Sequence, residues 1–393
     1  MSVAAQRTLK PSDIPAAASP RPAFARVELF EDPAQALEVW RALSPESCGS
    51  FYQSETFILS WLESVAAHDE ARPFFVVARD EAGAPLALLP LGLFRFGPLR
   101  VAQFLGGKHS NYNLGLFRGD RLFSAPDLKA VLRAAARAAP KGPHLYRLSN
   151  LPPFWREAAN PLVLLPHRPA ASRAYATRLD RDGEAFLAAH FSPDARKKMR
   201  KKEKRLAGMG VLRHVRAETA AQAEHILDAY FAHRGAHRDA HVAAAADQST
   251  RAFYRALARR AEGRAEVEFH ALSLDDRIVA TFGAGLCGGR LQGMFISYDS
   301  DPEIAKSSPG ELLLCHVVLD ACARNFSAFD LGVGDARYKT GFCDEGEPLV
   351  EALYAPTVIG RLAAPLFIAA SATKAAIKRD PRLFALAKRW LPR

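Results

Sequence analysis

The sequence is poor in cysteine. Five are scattered along 393 residues, at Cys48, Cys287, Cys315, Cys322 and Cys343. No two form a C-x-x-C pair, which excludes the usual zinc spacing, and their odd, dispersed number excludes a disulfide framework. A reducing, cytoplasmic setting is expected. Cys315 and Cys322 stand seven apart in a helical pattern and read as core residues. Clean long apolar runs are missing as well. The opening "MSVAAQRTLKPSDIPAAASPRPAF" has nothing like a signal peptide's apolar core and reads as a flexible tail over residues 1–24. The later "TVIGRLAAPLFIAASATKAAIK" is broken by Arg361 and Pro365 and falls short of the ~20 clean apolar residues that span a bilayer. With the following "RDPRLFALAKRWLPR" it is expected to form two terminal helices, residues 357–393, packed on the body. No integral membrane segment is expected, and a peripheral membrane contact is left open.

What the sequence does have is one loud run of charge. "RKKMRKKEKR", residues 196–205, carries eight basic side chains and one acidic one, most of the chain's formal charge of +11. The basicity is therefore a local event, unlike that of a nucleic-acid binder with a uniformly basic face. Ser192 is a plausible N-cap, Pro193 and Asp194 open the helix, and Gly210 ends it. Ala195, Met199, Leu206 and Met209 mark an inward stripe that Lys202 interrupts. No aromatic residue lies between Ser192 and Gly210, which excludes a base-stacking platform. A solvated or phosphate-facing helix is expected, with nucleic acid an unlikely partner.

The rest of the sequence repeats itself. "SETFILSWLESVAAH" has a capping residue and helical apolar spacing. Three strand-like runs joined by short turns follow, then the helix "APDLKAVLRAAARAAP" and the strand "HLYRLSNL". In the second half the same order returns: helix "STRAFYRALARRAEG", a three-strand meander from Val267 to Asp299, helix "SPGELLLCHVVLDACARN", strand "SAFDLGVG". A period of about 200 residues suits tandem domains of one α+β fold rather than a solenoid. The lobes are expected at 25–170 and 171–356.

Two short stretches carry candidate chemistry. In "SSPGELLL", Ser308 reads as an N-cap, Pro309 as the first helical residue and Glu311 as the partner in an S-x-x-E capping box. Gly310 bares the backbone at a helix start, where free N–H groups and the dipole suit an anion. The motif alone favours a plain well-capped helix, and Glu311 partly opposes an incoming phosphate. In "FDLGVGDARYKTGF", a buried strand delivers Asp335, Arg337, Tyr338 and Lys339 behind Gly332-x-Gly334; a functional cluster and an ordinary polar turn both fit. "AHRGAHRDAH" sets His233, Arg234, His237, Arg238 and His241 on successive turns. It has no H-E-x-x-H pattern, so no metal is expected, and it reads as a solvated face or the wall of an acceptor cleft.

Taken in order, these stretches, with "FYQSETFILSWLE" and "FLGGKHSNYNLGLF" in the first half, resemble the GNAT-like acyltransferases of the CelD/BcsL type. That family is named for a link to bacterial cellulose biosynthesis and is distantly related to FemAB-type transferases. The resemblance implies tandem GNAT-like lobes, each a mixed, mainly antiparallel sheet flanked by helices. The first lobe would be degenerate, with "HSNYNL" helping to bind acceptor. It implies transfer of an acyl group, acetyl in the first instance, from a CoA thioester to an amine or hydroxyl of a saccharide or cell-envelope precursor. The backbone of Met294, Phe295 and Ile296 would meet the thioester, and Ser308 and Gly310 the pyrophosphate; "KSSPGELL" stands where GNAT proteins usually carry Q/R-x-x-G-x-G/A. Asp335 would act as base or acceptor-positioning group, Tyr338 as acid, and Lys339 would stabilise phosphate or oxyanion charge. Two alternatives stay open: a FemAB-like transferase using aminoacyl-tRNA, and a non-catalytic scaffold in polysaccharide synthesis.

Overall fold

The computed structural model describes residues 24–44, 49–119, 122–236, 244–343 and 346–380. Along the first half run β1 (Arg26–Phe30), α1 (Pro33–Leu43), α2 (Glu55–Ser64), β2 (Arg72–Arg79), β3 (Pro85–Phe96), β4 (Leu99–Phe104), β5 (Leu116–Phe117), α3 (Ala125–Ala138), β6 (Leu145–Leu151), the short pair β7 (Phe154–Trp155) and β8 (Ala158–Ala159), and β9 (His167–Pro169). Along the second run β10 (Ala174–Arg178), α4 (Gly183–His190), α5 (Pro193–Ala207), β11 (Leu212–Arg216), α6 (Ala220–Ala236), α7 (Ala244–Ala261), β12 (Val267–Leu274), β13 (Arg277–Cys287), β14 (Arg290–Tyr298), α8 (Pro302–Ala305), α9 (Pro309–Ala323), β15 (Ala328–Val333) and α10 (Lys339–Phe342). β16 (Val350–Tyr354) and α11 (Val358–Arg379) follow.

The repeat read from the sequence is present in space. One sheet runs β1-β2-β3-β4-β6-β16-β9, with β5 on β3; the other runs β11-β12-β13-β14-β15-β10. Each has an antiparallel meander, one parallel pair (β4 with β6, β14 with β15), then an antiparallel strand beyond it. Local chemistry explains the elements. Ser54 caps α2 by accepting from Phe57 N, and Phe57, Ile58 and Trp61 form its buried face. The β13–β14 hairpin turns on Gly288 and Gly289, both at positive φ, the backbone that the tightest hairpins require. α9 is apolar nearly all round, and it is buried nearly all round.

The topology corrects one expected boundary. β16 does not belong to the second lobe: it enters the first sheet between β6 and β9, pairing antiparallel with both. It stands against β6 as β10 stands against β15, so chain from beyond the second lobe completes the first. A buried carboxylate fixes it there, Glu351 meeting both Arg147 and Arg168.

The lobes also share a core. Trp40, Phe51, Tyr52 and Phe57 of the first pack in one cluster with Tyr230, Phe253, Tyr254, Phe269 and Phe295 of the second. Gly285 shows how close the approach is, since a Cβ there would stand 1.9 Å from the Phe51 ring.

The expectation for the chain's last stretch is corrected in part. Val358–Arg379 is a single helix running through Pro365; the second expected helix falls on residues 381–393, outside the described residues. It touches the body along one narrow stripe and leaves its opposite, apolar face exposed.

Candidate active site

The site begins with a bulge in β14. Gly283 pairs with Phe295 while the next residue, Ala284, pairs with Gly293, so Met294 is an extra residue with no partner on β13. On its other side β14 pairs with β15 only over Arg290–Gln292 against Ala328–Asp330. Beyond that point the strands part, and β15 continues against β10. Met294, Phe295 and Ile296 therefore lie where the ladder has opened. Gly310 of α9 packs against this end of β14, with Ile296 and Tyr298 the nearest atoms to a Cβ built there, at 3.7 Å. The fold thus brings the strand residues 294–296 and the helix start at 308–310 together.

The capping box expected at α9 is not formed. Ser308 lies in the left-handed region (φ 49°, ψ 57°), its side chain caps nothing, and its carbonyl instead accepts from Glu311 N and Leu312 N. The twist turns the hydroxyl toward Lys202, whose Nζ donates to Ser308 Oγ at 2.8 Å and lies 3.2 Å from Glu311 Oε2. The same device is built in the first lobe, where Ser124 and Asp127 at α3 form a true capping box. The basic helix α5 lies along α9: Cys315 Sγ donates to Met199 Sδ at 3.8 Å, and Glu203 meets His316 at 2.9 Å. Leu206 is buried, as the inward stripe required, but Met209 is exposed. Lys202, the break in that stripe, is the residue that reaches the helix start.

The first lobe reaches into the gap between β14 and β15. Asn111 Nδ2 donates to Gly293 O at 3.0 Å, and its Oδ1 accepts from Val333 N at 3.2 Å, so one carboxamide bridges the separated strands. Tyr52 OH donates to the same Gly293 O at 3.1 Å and accepts from Asn111 Nδ2 at 2.7 Å. Tyr112 OH donates to Asp330 Oδ1 at 2.9 Å, and Arg290 Nε to Asp330 Oδ2 at 2.9 Å. Burial raises the Tyr52 and Tyr112 phenols far above their ordinary range, so both remain protonated donors. "HSNYNL" is accordingly a plug between lobes. His109 also faces the second lobe, 3.2 Å from Thr250 Oγ1, and burial pulls its pKa down to about 3.

Past β15 the three expected side chains diverge. Asp335 is exposed and accepts from Tyr175 OH at 2.6 Å. Tyr338 packs against the second core, and burial pushes its phenol up to about 12. Lys339 is buried, and its Nζ donates to Gly332 O at 3.2 Å and Val333 O at 3.0 Å. Burial lowers its pKa to about 8. Two of its three donors hold the Gly332–Gly334 turn. His233 does not line a solvated face. It is buried, with Nε2 3.1 Å from Ile278 O and Nδ1 3.0 Å from Ser297 Oγ; a carbonyl only accepts, so Nε2 is the donor to Ile278 O. His237, Arg238 and His241 lie outside the described residues.

Sequence reasoning missed Tyr52, Asn111, Arg290, Asp330 and Tyr175. Asp330 did leave a signal, a charge inside an otherwise apolar strand. Tyr52 and Asn111 stand in "FYQSETFILSWLE" and "HSNYNL", stretches that carry the resemblance, but their contacts were not foreseen because only the tertiary fold brings them to β14.

Residues 193–340 match the model of the acetyltransferase (GNAT) domain. No curated protein matches the sequence. Among solved structures, FemX is similar at TM-score 0.54 with 9% identity, over 86% of this chain and 99% of that one. A conserved protein of unknown function from Bacteroides thetaiotaomicron is similar at 0.51 with 14% identity, over 84% of this chain and 100% of that one. A tandem GNAT protein from the clavulanic acid biosynthesis pathway gives 0.48 and 11%, over 84% and 99%. At these identities the likeness is one of fold. With the two α+β lobes, the domain match supports an acyltransferase whose GNAT domain is the second lobe.

Proposed function

We propose that this chain moves an acyl group from a CoA thioester to an amine or hydroxyl of a saccharide or cell-envelope precursor. The observation that carries the reading is the bulge at Met294, set at the opening between β14 and β15 and beside the start of α9. The donor set suits an acyl-CoA. Main-chain groups of Met294–Ile296 on the side where β15 has parted can pair with its amides. The helix start at Ser308 and Gly310, with Lys202 beside it, suits its phosphates. The thioester supplies an activated acyl carbon; the chain's own part is to hold it, position the acceptor and move protons. Asp335, fixed by Tyr175, is assigned as base or acceptor-positioning group, and Tyr338, kept protonated by burial, as the proton donor to the leaving sulfur. Lys339 is assigned as a positioning residue of the turn that presents both.

A thermal-shift series across acyl-CoA chain lengths tests the reading. At least one acyl-CoA should raise Tm, and Asp335→Asn should lower kcat about 10²–10⁴-fold while leaving that shift intact. No shift with any CoA species refutes the proposal. The exposed basic residues of α5, Lys197, Lys198, Arg200, Lys201 and Lys204, favour one second reading, transfer from aminoacyl-tRNA. It requires tRNA binding that weakens steeply with salt.

A further inference from the structure

Five of the ten exposed large hydrophobic side chains among the described residues lie on α11: Val358, Ile359, Leu362, Leu366 and Ile368. Val358, Leu362 and Leu366 are four residues apart and form one outward stripe, 63%, 76% and 69% exposed. The opposite stripe holds the helix to the first sheet. Gly360 lies against the His144 carbonyl, where a Cβ would stand 1.7 Å away, and Ala363 is buried. Phe367 O accepts from Arg168 Nη2 at 3.2 Å, and Ser371 Oγ from Arg147 Nη2 at 3.3 Å. Phe367 also meets Phe96, itself exposed, edge to face at 5.5 Å.

We propose that α11 lies in the plane of an anionic lipid surface, with Val358, Leu362 and Leu366 inserted among the acyl chains. By length and mean hydropathy this helix could cross a bilayer. Its contacts oppose that: from Gly360 to Ser371 it is bonded to a folded sheet, so lipid cannot surround it. A helix lying in the interface needs lipid on one face only. Charge selects the occupant. From Val358 to Arg393 the sequence has eight basic residues and one acidic one, Asp380. Arg361 and Lys374 are exposed on the helix itself, which contains no acidic residue. The two exposed cations of the helix, in a basic stretch of sequence, complement anionic headgroups. A second copy docked on the same stripe would instead bring these like charges together. Residues 1–23 offer only Met1, Val3, Leu9 and Ile14 as large apolar side chains, too sparse to cover the stripe.

The test is co-sedimentation of the full chain with phosphatidylcholine vesicles, with and without phosphatidylglycerol. Binding should need phosphatidylglycerol, weaken with salt, and fall at least about tenfold in the double variant Leu362→Glu, Leu366→Glu. Both positions face away from the body, so the variant should keep the wild-type melting curve and acyl-CoA response. In a second variant, Leu362→Trp, the fluorescence should shift to the blue and be quenched by lipids brominated on their acyl chains. Absence of wild-type binding, or binding indifferent to the double substitution, overturns the proposal. So does a solution dimer that the double substitution dissociates, which would give the face to a second copy. None of these outcomes bears on acyl transfer, which the CoA shift reads separately.

Discussion

Truncating Asn111 to alanine removes a carboxamide that bridges β14 and β15 where they have parted, and its cost can be worked from the contacts. Three hydrogen bonds go: to Tyr52 OH, to Gly293 O and from Val333 N. Gly293 O keeps Tyr52 as a donor, so the acceptor side is only weakened. Val333 N–H loses its acceptor at a half-buried position. An ordinary hydrogen bond is worth about 1 kcal/mol net, and a stranded buried donor costs about 1–3 kcal/mol. The sum for Asn111→Ala is then about 2–4 kcal/mol, toward the lower end where water reaches Val333. Because both lobes contribute to one aromatic core, the loss should appear as a shift of the whole urea unfolding curve at constant slope. Tyr52→Phe supplies the control, since both side chains share Gly293 O. The two substitutions should couple by about 0.5–2 kcal/mol in a double-mutant cycle. A loss below about 0.5 kcal/mol for Asn111→Ala, or strict additivity with Tyr52→Phe, would refute the bridging role.

Further outcomes follow from the charges. Lys339 has a folded-state pKa of about 8 against 10.5 unfolded, so above pH 8 the unfolded chain binds the extra proton. Stability should therefore rise from about pH 8 to about pH 10.5 on this account, and Lys339→Met should flatten that rise in urea titrations. His214, pulled down to about 4 by burial and by its neighbours His270 and His316, acts at the acid end. Stability should fall as pH drops from about 6.5 toward about 4, and His214→Gln should reduce the slope of Tm against pH there. Lys202→Met should weaken acyl-CoA binding about tenfold by calorimetry, because a charge-assisted contact at the start of α9 goes. Glu311→Gln should strengthen it, because the competing carboxylate is neutralised.

The repeat was legible because it is written in periodicity: alternating apolar runs and capped helices carry their own registers. The helix start at Ser308 was legible as a place but not as a geometry. S-P-G-E reads as a capping box, yet the left-handed Ser308 answers to Lys202, more than a hundred positions away in sequence, and no local rule sees that contact. Lys202 itself was visible only as a fault in an apolar stripe. The stretches holding Asn111 and Tyr52 were visible but their contacts were not, since these depend on two loops of one lobe meeting a bulge of the other. α11 misled for a different reason. Its sequence is apolar enough to be buried, and burial is the usual fate of such a helix, but nothing in the sequence says that only one stripe will find a neighbour.

The placing of β16 has a consequence for how the molecule is made. A strand that follows the whole second lobe in the chain fills a slot in the sheet that is begun before that lobe. The emerging N-terminal half cannot close on the ribosome; it must wait, with the edge of β6 open, until the entire second half has been translated. During that wait the open edge is a template for any passing strand, including another nascent copy. Premature termination anywhere before Val350 would damage the distal half of the gene product and leave the proximal half unfinished as well. The first lobe can therefore not be cut out at its apparent seam and keep a complete sheet.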